Sequence, residues 1–315
     1  MTQSHEASET FGAILKELEN SHLVGQRILL KLMTVAWFAR GHVLLEGPPG
    51  VGKTAAARLF AAALGRKLRR VQFTSDLLPS DIIGGNIYSQ ASNSYTFMEG
   101  PIFTDVLLAD EINRCPPRTQ SALLEAMEER QVSVDGDTRV LSKDFFVIAT
   151  QNSLDFEGTF PLPEAQMDRF LFKIPLGHYQ LDDDIRIISL GLKQSMAIPD
   201  IKALPPQSKI DLDQAVEAVE VSQSILHYSA SLLKATRDHP AIAMGASIRA
   251  GLALVRAARV WALIEGRSFV IVDDIKALAP FVLSHRIRLS TEAIINGTTT
   301  EDLVQSLLLK EEFPK

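Results

Sequence analysis

The sequence of 315 residues contains a single cysteine, Cys115, which excludes an internal disulfide and any metal site built from several cysteines. A single cysteine fits a reducing compartment, so we expect a cytoplasmic protein. No helper residue for Cys115 is evident, which makes it a poor candidate for a nucleophile. The seven histidines do not show the spacing of metal ligands either. The sequence therefore gives no sign of a cysteine or histidine metal centre.

Long hydrophobic runs and an excess of positive charge are also absent. The longest apolar stretch, residues 28–39, contains Lys31 and is too short to span a bilayer, and the N-terminus lacks a signal-peptide pattern. We therefore predict no direct membrane insertion. The 32 basic and 38 acidic residues give a net charge of -6, which disfavours a nucleic-acid partner. A basic cluster within residues 66–70 is interpreted as the solvated end of a helix.

Hydrophobic residues (46%) and charged residues (22%) occur in the proportions of a globular protein. The chain is longer than one hydrophobic core usually organises, which predicts two domains. The secondary-structure pattern changes after Pro175, and we place the boundary within residues 177–181. The prediction is one domain over residues 1–178 and a second over residues 179–315.

The first domain is predicted to have an α/β fold, with a parallel five-stranded sheet between two layers of helices. Helical patterns cover residues 54–64, 119–130 and 8–40, the last with one break near residues 23–26. Five short apolar runs alternate with helical patterns, and each is rich in β-branched or aromatic residues or flanked by turn signals. The runs are 42–46, 70–73, 106–109, 145–150 and 170–174. Such alternation is typical of a parallel sheet covered on both faces.

Two stretches interrupt this alternation and are predicted to form hairpins. Residues 84–103 are rich in Gly, Ser, Asn and Tyr, and residues 131–141 alternate about an Asp135-Gly136 turn. The second domain is predicted to be small and all-α, with Asp273 as an N-cap. Its helical patterns cover residues 181–195, 212–236, 247–265 and 273–285.

Residues 47–54 follow the first predicted strand and open a helix, and their glycines, Lys53 and Thr54 have the spacing of a phosphate-binding P-loop. The glycines let the backbone turn its N–H groups toward a polyphosphate, and the helix dipole favours the same charge. Lys53 is predicted to reach the β- and γ-phosphates, and Thr54 to bind Mg²⁺. A plain glycine turn is the alternative. The candidate ATP-binding residues here are Gly47, Pro48, Pro49, Gly50, Val51, Gly52, Lys53, Thr54 and Ala55.

Two adjacent carboxylates, Asp110 and Glu111, stand at the end of a predicted strand. Asp110 is predicted to hold Mg²⁺ through its water shell, and Glu111 to polarise the attacking water as a general base. The metal and Lys53 would supply the positive charge that offsets two neighbouring carboxylates. Capping of the following helical segment is the alternative role.

Together with further motifs, these residues resemble the MoxR family of AAA+ ATPases, in the helix-2-insert group. The resemblance extends over essentially all of the chain from Val24 to Arg286. Besides the P-loop and residues 107–114, the motifs that carry it are residues 100–103, 120–127, 148–152, 162–170, 245–250 and 278–286. The resemblance implies a three-layer AAA+ core followed by a small α-helical lid.

The resemblance also implies roles for three further side chains. Asn152 looks like the sensor that hydrogen-bonds the γ-phosphate or the attacking water. Arg169 looks like the arginine finger supplied to the neighbouring subunit's nucleotide, with a surface ion pair to Asp168 as the alternative. Arg249 looks like the lid sensor that reaches the γ-phosphate of its own subunit, with a helix-surface arginine as the alternative. The implied catalytic residues are therefore Lys53, Glu111, Asn152, Arg169 and Arg249.

Val24, Gly25 and Gln26 resemble the family's segment beside the adenine base, where backbone contacts would bind the nucleotide. The two hairpins resemble loops that face the pore of a ring and touch a partner. The candidates in those loops are Tyr88, Tyr95, Phe97 and the turn 135–137, and ordinary exposed hairpins are the alternative.

The chain departs from the family pattern at three positions. Ser153 and Ile248 stand where proline is usual, and Met167 replaces leucine. The change at Met167 should be mild. The missing proline at 248 is expected to loosen the helix start beside Arg249.

The resemblance implies ATP hydrolysis with Mg²⁺ by a ring of identical subunits, a hexamer, that remodels or activates a protein client in a chaperone-like way. It also implies a partner with a von Willebrand factor A domain. A nucleic-acid motor is an alternative, against which the acidic charge balance argues. A chelatase-type subunit or nucleotide-gated binding module with little hydrolysis is another, against which the intact Glu111, Asn152 and Arg169 argue.

Overall fold

The first domain is built around a five-stranded sheet in the order β2-β5-β8-β1-β9, in which every neighbouring pair is parallel. The computed structural model describes residues 2–20, 26–90, 93–152, 158–177, 181–183, 185, 189, 203–311 and 313. The strands of the sheet are β1 (Val43–Glu46), β2 (Leu68–Gln72), β5 (Val106–Asp110), β8 (Phe146–Gln151) and β9 (Phe172–Pro175). The predicted sheet is confirmed, and every predicted strand end lies within two residues of the observed one.

Helices cover both faces of this sheet. They are α1 (Thr2–Asn20), α2 (Arg27–Phe38), α3 (Lys53–Ala63), α4 (Pro79–Ile83), α5 (Pro117–Glu129) and α6 (Glu164–Met167). Successive side chains of β1 point to opposite faces of the sheet. Val43 and Leu45 are buried with α1–α3 on one face, and Leu44 is buried with α4 and α5 on the other. Apolar cover on both faces is the arrangement that an all-parallel sheet requires.

Both predicted hairpins are present. The first pairs β3 (Gly84–Ser89) with β4 (Ser94–Glu99), and the second pairs β6 (Gln131–Val134) with β7 (Asp137–Val140). The second turns at Asp135 and Gly136, which both have positive φ, as a two-residue hairpin turn requires.

The two hairpins pack on each other. Asn86 Nδ2 donates to Asp135 Oδ2 at 2.7 Å, and the Arg139 guanidinium lies 3.8 Å from the centre of the Phe97 ring. Phe97 is thus partly covered, whereas Tyr88 and Tyr95 remain exposed. Of the aromatic candidates for contact with a partner, only these two tyrosines have the necessary exposure.

The second domain, the lid, is helical apart from a short ladder of β10 (Ile242–Met244) and β11 (Arg288–Leu289). Its described helices are α7 (Pro206–Glu217), α8 (Gln223–Asp238), α9 (Ile248–Ile264), α10 (Val272–Leu283), α11 (Thr291–Ile295) and α12 (Thr300–Lys310). Most of the predicted helix 181–195 lies outside the described residues. Within the described ranges, no helix is both long and apolar enough to cross a membrane.

Two predictions for the lid are wrong. The pattern 212–236 was expected to be one helix, but Glu220 leaves the helical path to pair with the backbone of Ser268 and Val270, and Ser222 caps a new helix. Asp273 is not an N-cap, because Ile271 occupies that position and its N–H donates to the Asp274 carboxylate at 2.9 Å. Helix α12 was not predicted.

Besides the shared hydrophobic core, a buried arginine, Arg286, connects the lid to the first domain. Its Nε donates to Asp168 Oδ1 at 2.6 Å. Its Nη atoms donate to the backbone carbonyls of Asp168, Phe170, Leu171 and Val282. All five N–H donors of the guanidinium are therefore used. Burial lowers the pKa of Arg286, and the Asp168 carboxylate opposes that effect.

Arg286→Ala should destabilise the protein strongly, because it removes the hydrogen-bond donor of the Asp168 carboxylate and one donor from each of four backbone carbonyls. Removing one partner of a buried ion pair costs about 3–5 kcal/mol. Urea unfolding followed by tryptophan fluorescence measures the change. Arg288→Ala is the control, since Arg288 is 55% exposed and lies 3.7 Å from its partner Glu164. Equal unfolding midpoints for the two variants would contradict the anchoring role of Arg286.

Candidate functional site

The P-loop lies between β1 and α3, at the carboxyl edge of the sheet, where the parallel strands end. Gly50 and Gly52 have φ values of 85° and 77°, a conformation that other residues adopt at a cost. Gly52 is the N-cap of α3, so the first N–H groups of this helix have no partner within the helix. A helix start of this kind attracts phosphate groups.

Lys53 lies across the P-loop. Its Nζ donates to Gly47 O at 2.6 Å and to Gln151 O at 3.4 Å, so the ammonium group bridges the ends of β1 and β8. This position places a positive charge beside the N–H groups of the loop, where a polyphosphate would need it.

The chain that leaves β9 passes close to the same loop. Leu176 N–H donates to Glu46 O at 2.6 Å. A Cβ atom on Gly47 would lie 2.4 Å from Leu176 O, which is closer than such atoms approach. The absence of a side chain at Gly47 is therefore required by the neighbouring segment as well as by the loop.

Gln26 connects the proposed adenine-side segment to the P-loop. Its buried Nε2 donates to Val51 O at 2.5 Å. The sequence had suggested only backbone contacts for this segment, so the side-chain contact of Gln26 is new. Val24 and Gly25 lie outside the described residues.

Asp110 lies at the end of β5 and is buried. Its Oδ1 accepts from Thr150 Oγ1 at 2.6 Å, and its Oδ2 lies 3.5 Å from Thr54 Oγ1. Neighbouring ligands of an octahedral Mg²⁺ at about 2.1 Å stand about 3 Å apart. The Thr54 and Asp110 oxygens therefore fit a site for Mg²⁺, either directly or with a water between Asp110 and the metal.

Arg70 contacts the same carboxylate, which the sequence did not predict. Its Nε and Nη2 donate to Asp110 Oδ2 at 3.0 and 2.7 Å, and Nη2 also donates to Gln72 Oε1. The interpretation of residues 66–70 as a solvated helix end is wrong for Arg70, because it lies in β2. Alternation along that strand puts Arg70 and Gln72 on one face of the sheet, and the register that pairs Gln72 with Asp110 brings both next to Asp110 on β5.

Glu111 follows Asp110 in a left-handed backbone conformation, with φ of 59°. Thr150 Oγ1 accepts from its N–H at 2.9 Å and so fixes this turn. The Glu111 carboxylate accepts from Gln72 Nε2 at 2.7 Å and forms an ion pair with Arg114 at 3.2 Å. Gln72 was not recognised from the sequence, since its contact depends on the register between β2 and β5.

Asn152 follows β8 at the same edge and is buried. Strand β8 lies between β1 and β5, so Asn152 stands between the P-loop and Glu111 in the order of the sheet. The three sequence motifs thus converge at one edge.

Arg169 and Arg249 lie at the other edge of the sheet. Arg169 precedes β9, and the nearby Leu171 N–H donates to the carbonyl of His42, which precedes β1. Strands of four residues separate this edge from the P-loop by about 13 Å. Arg169 and Arg249 both form ion pairs with Glu128, near the end of α5.

These contacts change two expectations. The alternative role of Arg169, a surface ion pair with Asp168, is replaced by an ion pair with Glu128 at 2.9 Å. Arg249 lies away from its own P-loop, contrary to the expectation that it reaches the γ-phosphate of its own subunit. Ser247 accepts from Ala250 N and caps the helix that carries Arg249, which compensates for the proline missing at Ile248.

Cys115 is buried, and desolvation raises the pKa of its thiol to about 12. A thiol with this pKa stays protonated at neutral pH and is a weak nucleophile. This agrees with the sequence-based judgement that Cys115 is not catalytic.

Comparisons with known proteins match both parts of the chain. A family model described as "ATPase family associated with various cellular activities (AAA)" matches residues 42–172, and one described as an AAA lid domain matches residues 234–307. The chain is 40% identical to "Chaperone MoxR1" of Mycobacterium tuberculosis, over 93% of this chain and 80% of that protein. This chain belongs to the MoxR family of AAA+ ATPases.

Two further matches span nearly the whole MoxR-family chain. "Uncharacterized protein YeaC" of Bacillus subtilis is 44% identical over 94% of this chain and 92% of its own length. A crystal structure from Cytophaga hutchinsonii, described as a candidate ATPase, superposes with a TM-score of 0.90 at 34% identity. That match covers 100% of this chain and 98% of the other. The core and lid are thus those of an AAA+ ATPase.

In this MoxR-family chain, Arg70→Ala should lower the Mg²⁺ concentration needed for half-maximal binding of a fluorescent ATP analogue. Arg70 competes with the metal for Asp110, and a partly exposed ion pair of this kind is worth about 0.2–1 kcal/mol, or up to about fivefold in affinity. Lys67→Ala, which removes an exposed charge nearby, is the control. A higher Mg²⁺ requirement would show that Arg70 instead orients Asp110.

Proposed function

We propose that this protein hydrolyses ATP with Mg²⁺ in a ring of identical subunits and uses the cycle to remodel a protein client. The observation that carries this proposal is the convergence of Lys53, Asp110, Glu111 and Asn152 at the ends of three adjacent parallel strands. Binding in the crevice beyond the carboxyl ends of the strands is the general rule for open α/β sheets.

Each group at this edge has a task that its position supports. The N–H groups of the P-loop and Lys53 would bind the phosphates, and Thr54 with Asp110 would hold Mg²⁺, which would offset phosphate charge. Glu111 accepts a proton from the attacking water once its carboxylate turns from Gln72 toward the phosphates. Asn152 orients that water or the γ-phosphate through its amide.

Arg169 and Arg249 complete the site of the neighbouring subunit. Both arginines lie at the edge opposite their own P-loop and share Glu128. A guanidinium can stabilise transition-state charge only within contact distance of the phosphates. A single subunit therefore lacks this stabilisation, and assembly supplies it. A hexamer is the ring size that the family resemblance suggests.

Remodelling of a client is supported by the family and by the paired hairpins. One relative carries the name "Chaperone MoxR1". The exposed Tyr88 and Tyr95 on the first hairpin offer aromatic surface to a protein client. A partner with a von Willebrand factor A domain and a cytoplasmic location are part of the same proposal.

Lys53→Ala and Glu111→Gln should separate nucleotide binding from hydrolysis. Lys53→Ala removes the charge that contacts the phosphates, so binding of a fluorescent ATP analogue should fall by about tenfold or more. Glu111→Gln keeps binding but removes the base, so turnover should fall by about 100-fold or more. Near-normal turnover by Glu111→Gln would exclude Glu111 as the base.

Turnover per subunit should rise with protein concentration, because the site is completed between subunits. In mixtures, Arg169→Ala subunits should recover activity when combined with Glu111→Gln subunits, since each supplies what the other lacks. Steady-state phosphate release measures both effects, and mass photometry gives the oligomeric state. A rate that stays flat down to the monomer, together with no recovery in mixtures, would exclude a shared site.

A further inference from the structure

The cleft beside Arg169 and Arg249 is strongly cationic. It has a volume of about 480 Å³ and is also lined by Arg40, Arg130 and Arg256. The carboxylates among its lining residues are those of Glu128 and Asp168. Several guanidinium groups in one cleft repel each other, so their positions depend on which arginines these two carboxylates contact.

Asp168 already accepts a hydrogen bond from Arg286, which connects the lid to the core. Its Oδ1 accepts from Arg286 Nε at 2.6 Å, and its Oδ2 lies 3.9 Å from Arg249 Nη1. The contact to Arg249 is too long for a hydrogen bond. Asp168 therefore does little to fix the direction of Arg249.

Glu128 makes the closer contacts to both catalytic arginines. Its Oε2 lies 2.9 Å from Arg169 Nε, and its Oε1 accepts a short hydrogen bond from Arg249 Nη2. The hydrogen bond from Arg249 is the main cause of a lowered Glu128 pKa, so this carboxylate is ionised at neutral pH. The Glu128 carboxylate thus partly offsets the positive charges of Arg169 and Arg249. It contacts one arginine of the core and one of the lid.

We propose that Glu128 is a positioning residue, which holds Arg169 and Arg249 side by side for the polyphosphate of the neighbouring subunit. This inference rests on the proposed function, in which those arginines act between subunits. Arg169 is in the core and Arg249 is in the lid, so their spacing would otherwise vary with the position of the lid. Through Glu128 the two guanidiniums present one surface for an anion.

Glu128 also connects two nucleotide sites in the proposed ring, which are the subunit's own P-loop site and the site of the neighbouring subunit. Helix α5 begins at Pro117, shortly after Glu111, and Glu128 lies near its other end. Its 13 residues extend about 20 Å, from the carboxyl edge of the sheet to the edge with the arginines. A movement of α5 when ATP binds would therefore move Glu128 and both arginines together.

The test is the steady-state ATPase of Glu128→Gln at a protein concentration where the wild type is fully assembled. We expect turnover to fall about 10- to 100-fold, because misplacing a catalytic group by about 1 Å has an effect of that size. The KM for ATP should stay within about twofold, since the P-loop is unchanged. Glu129→Gln, an exposed neighbour on the same helix, should behave as the wild type.

A double variant distinguishes positioning from a general structural role. If Glu128 acts through the two arginines, adding Glu128→Gln to Arg249→Ala should cost less turnover than Glu128→Gln costs alone, and the cost that remains is due to its contact with Arg169. Glu128→Asp keeps the charge on a shorter stem and should retain more turnover than Glu128→Gln. Thermal unfolding of each variant confirms that the comparison is made between folded proteins.

Two results would overturn the inference while the proposed function stands. One is that the single variants Glu128→Gln and Glu129→Gln have equal turnover under conditions in which the Arg169→Ala variant is inactive. The other is an increase in turnover, which would mean that Glu128 restrains the arginines rather than positions them. If the wild-type rate does not depend on assembly and mixtures do not recover, the proposed function itself fails, and that result is independent of Glu128.

Discussion

The hydrogen bonds of Arg286 join the lid to the segment that leads into β9. Its guanidinium satisfies Asp168 and three carbonyls between residues 168 and 171, all within the segment that carries Arg169. The lid therefore holds the backbone of the segment that carries Arg169, the proposed arginine finger. A lysine has three donors on one atom and could not meet acceptors in so many directions. The position of Arg169, which we propose to act between subunits, thus depends on an interaction that is buried within a single chain.

The parallel sheet then divides the chemistry between its two edges. Its carboxyl edge holds the P-loop, Asp110, Glu111 and Asn152, and the other edge holds Arg169 and Arg249. In the proposed function these two edges would serve two different nucleotides, so a single subunit would hold only part of each site. Helix α5 joins the two edges and would then connect one nucleotide site with the arginines offered to the next.

The sequence predicted the core well because its signals are local. Glycine spacing identifies a P-loop, and apolar runs between helical patterns identify parallel strands. What it missed depends on contacts between distant segments. Arg70 and Gln72 became part of the site only through the register of β2 against β5. The break near Glu220 comes from pairing with Ser268 and Val270, which helical periodicity does not reveal. The position of Arg249 depends likewise on how the lid docks.

The close approach of Leu176 to Gly47 makes the P-loop and the connection after β9 depend on each other. Position 47 could be explained by phosphate binding alone, yet the Leu176 carbonyl would exclude a side chain there even from a loop that bound nothing. Relatives with a larger residue at 47 should therefore also carry a rerouted chain after β9. This constraint would appear among relatives as co-variation between position 47 and the connection after β9, and not only as conservation of the P-loop.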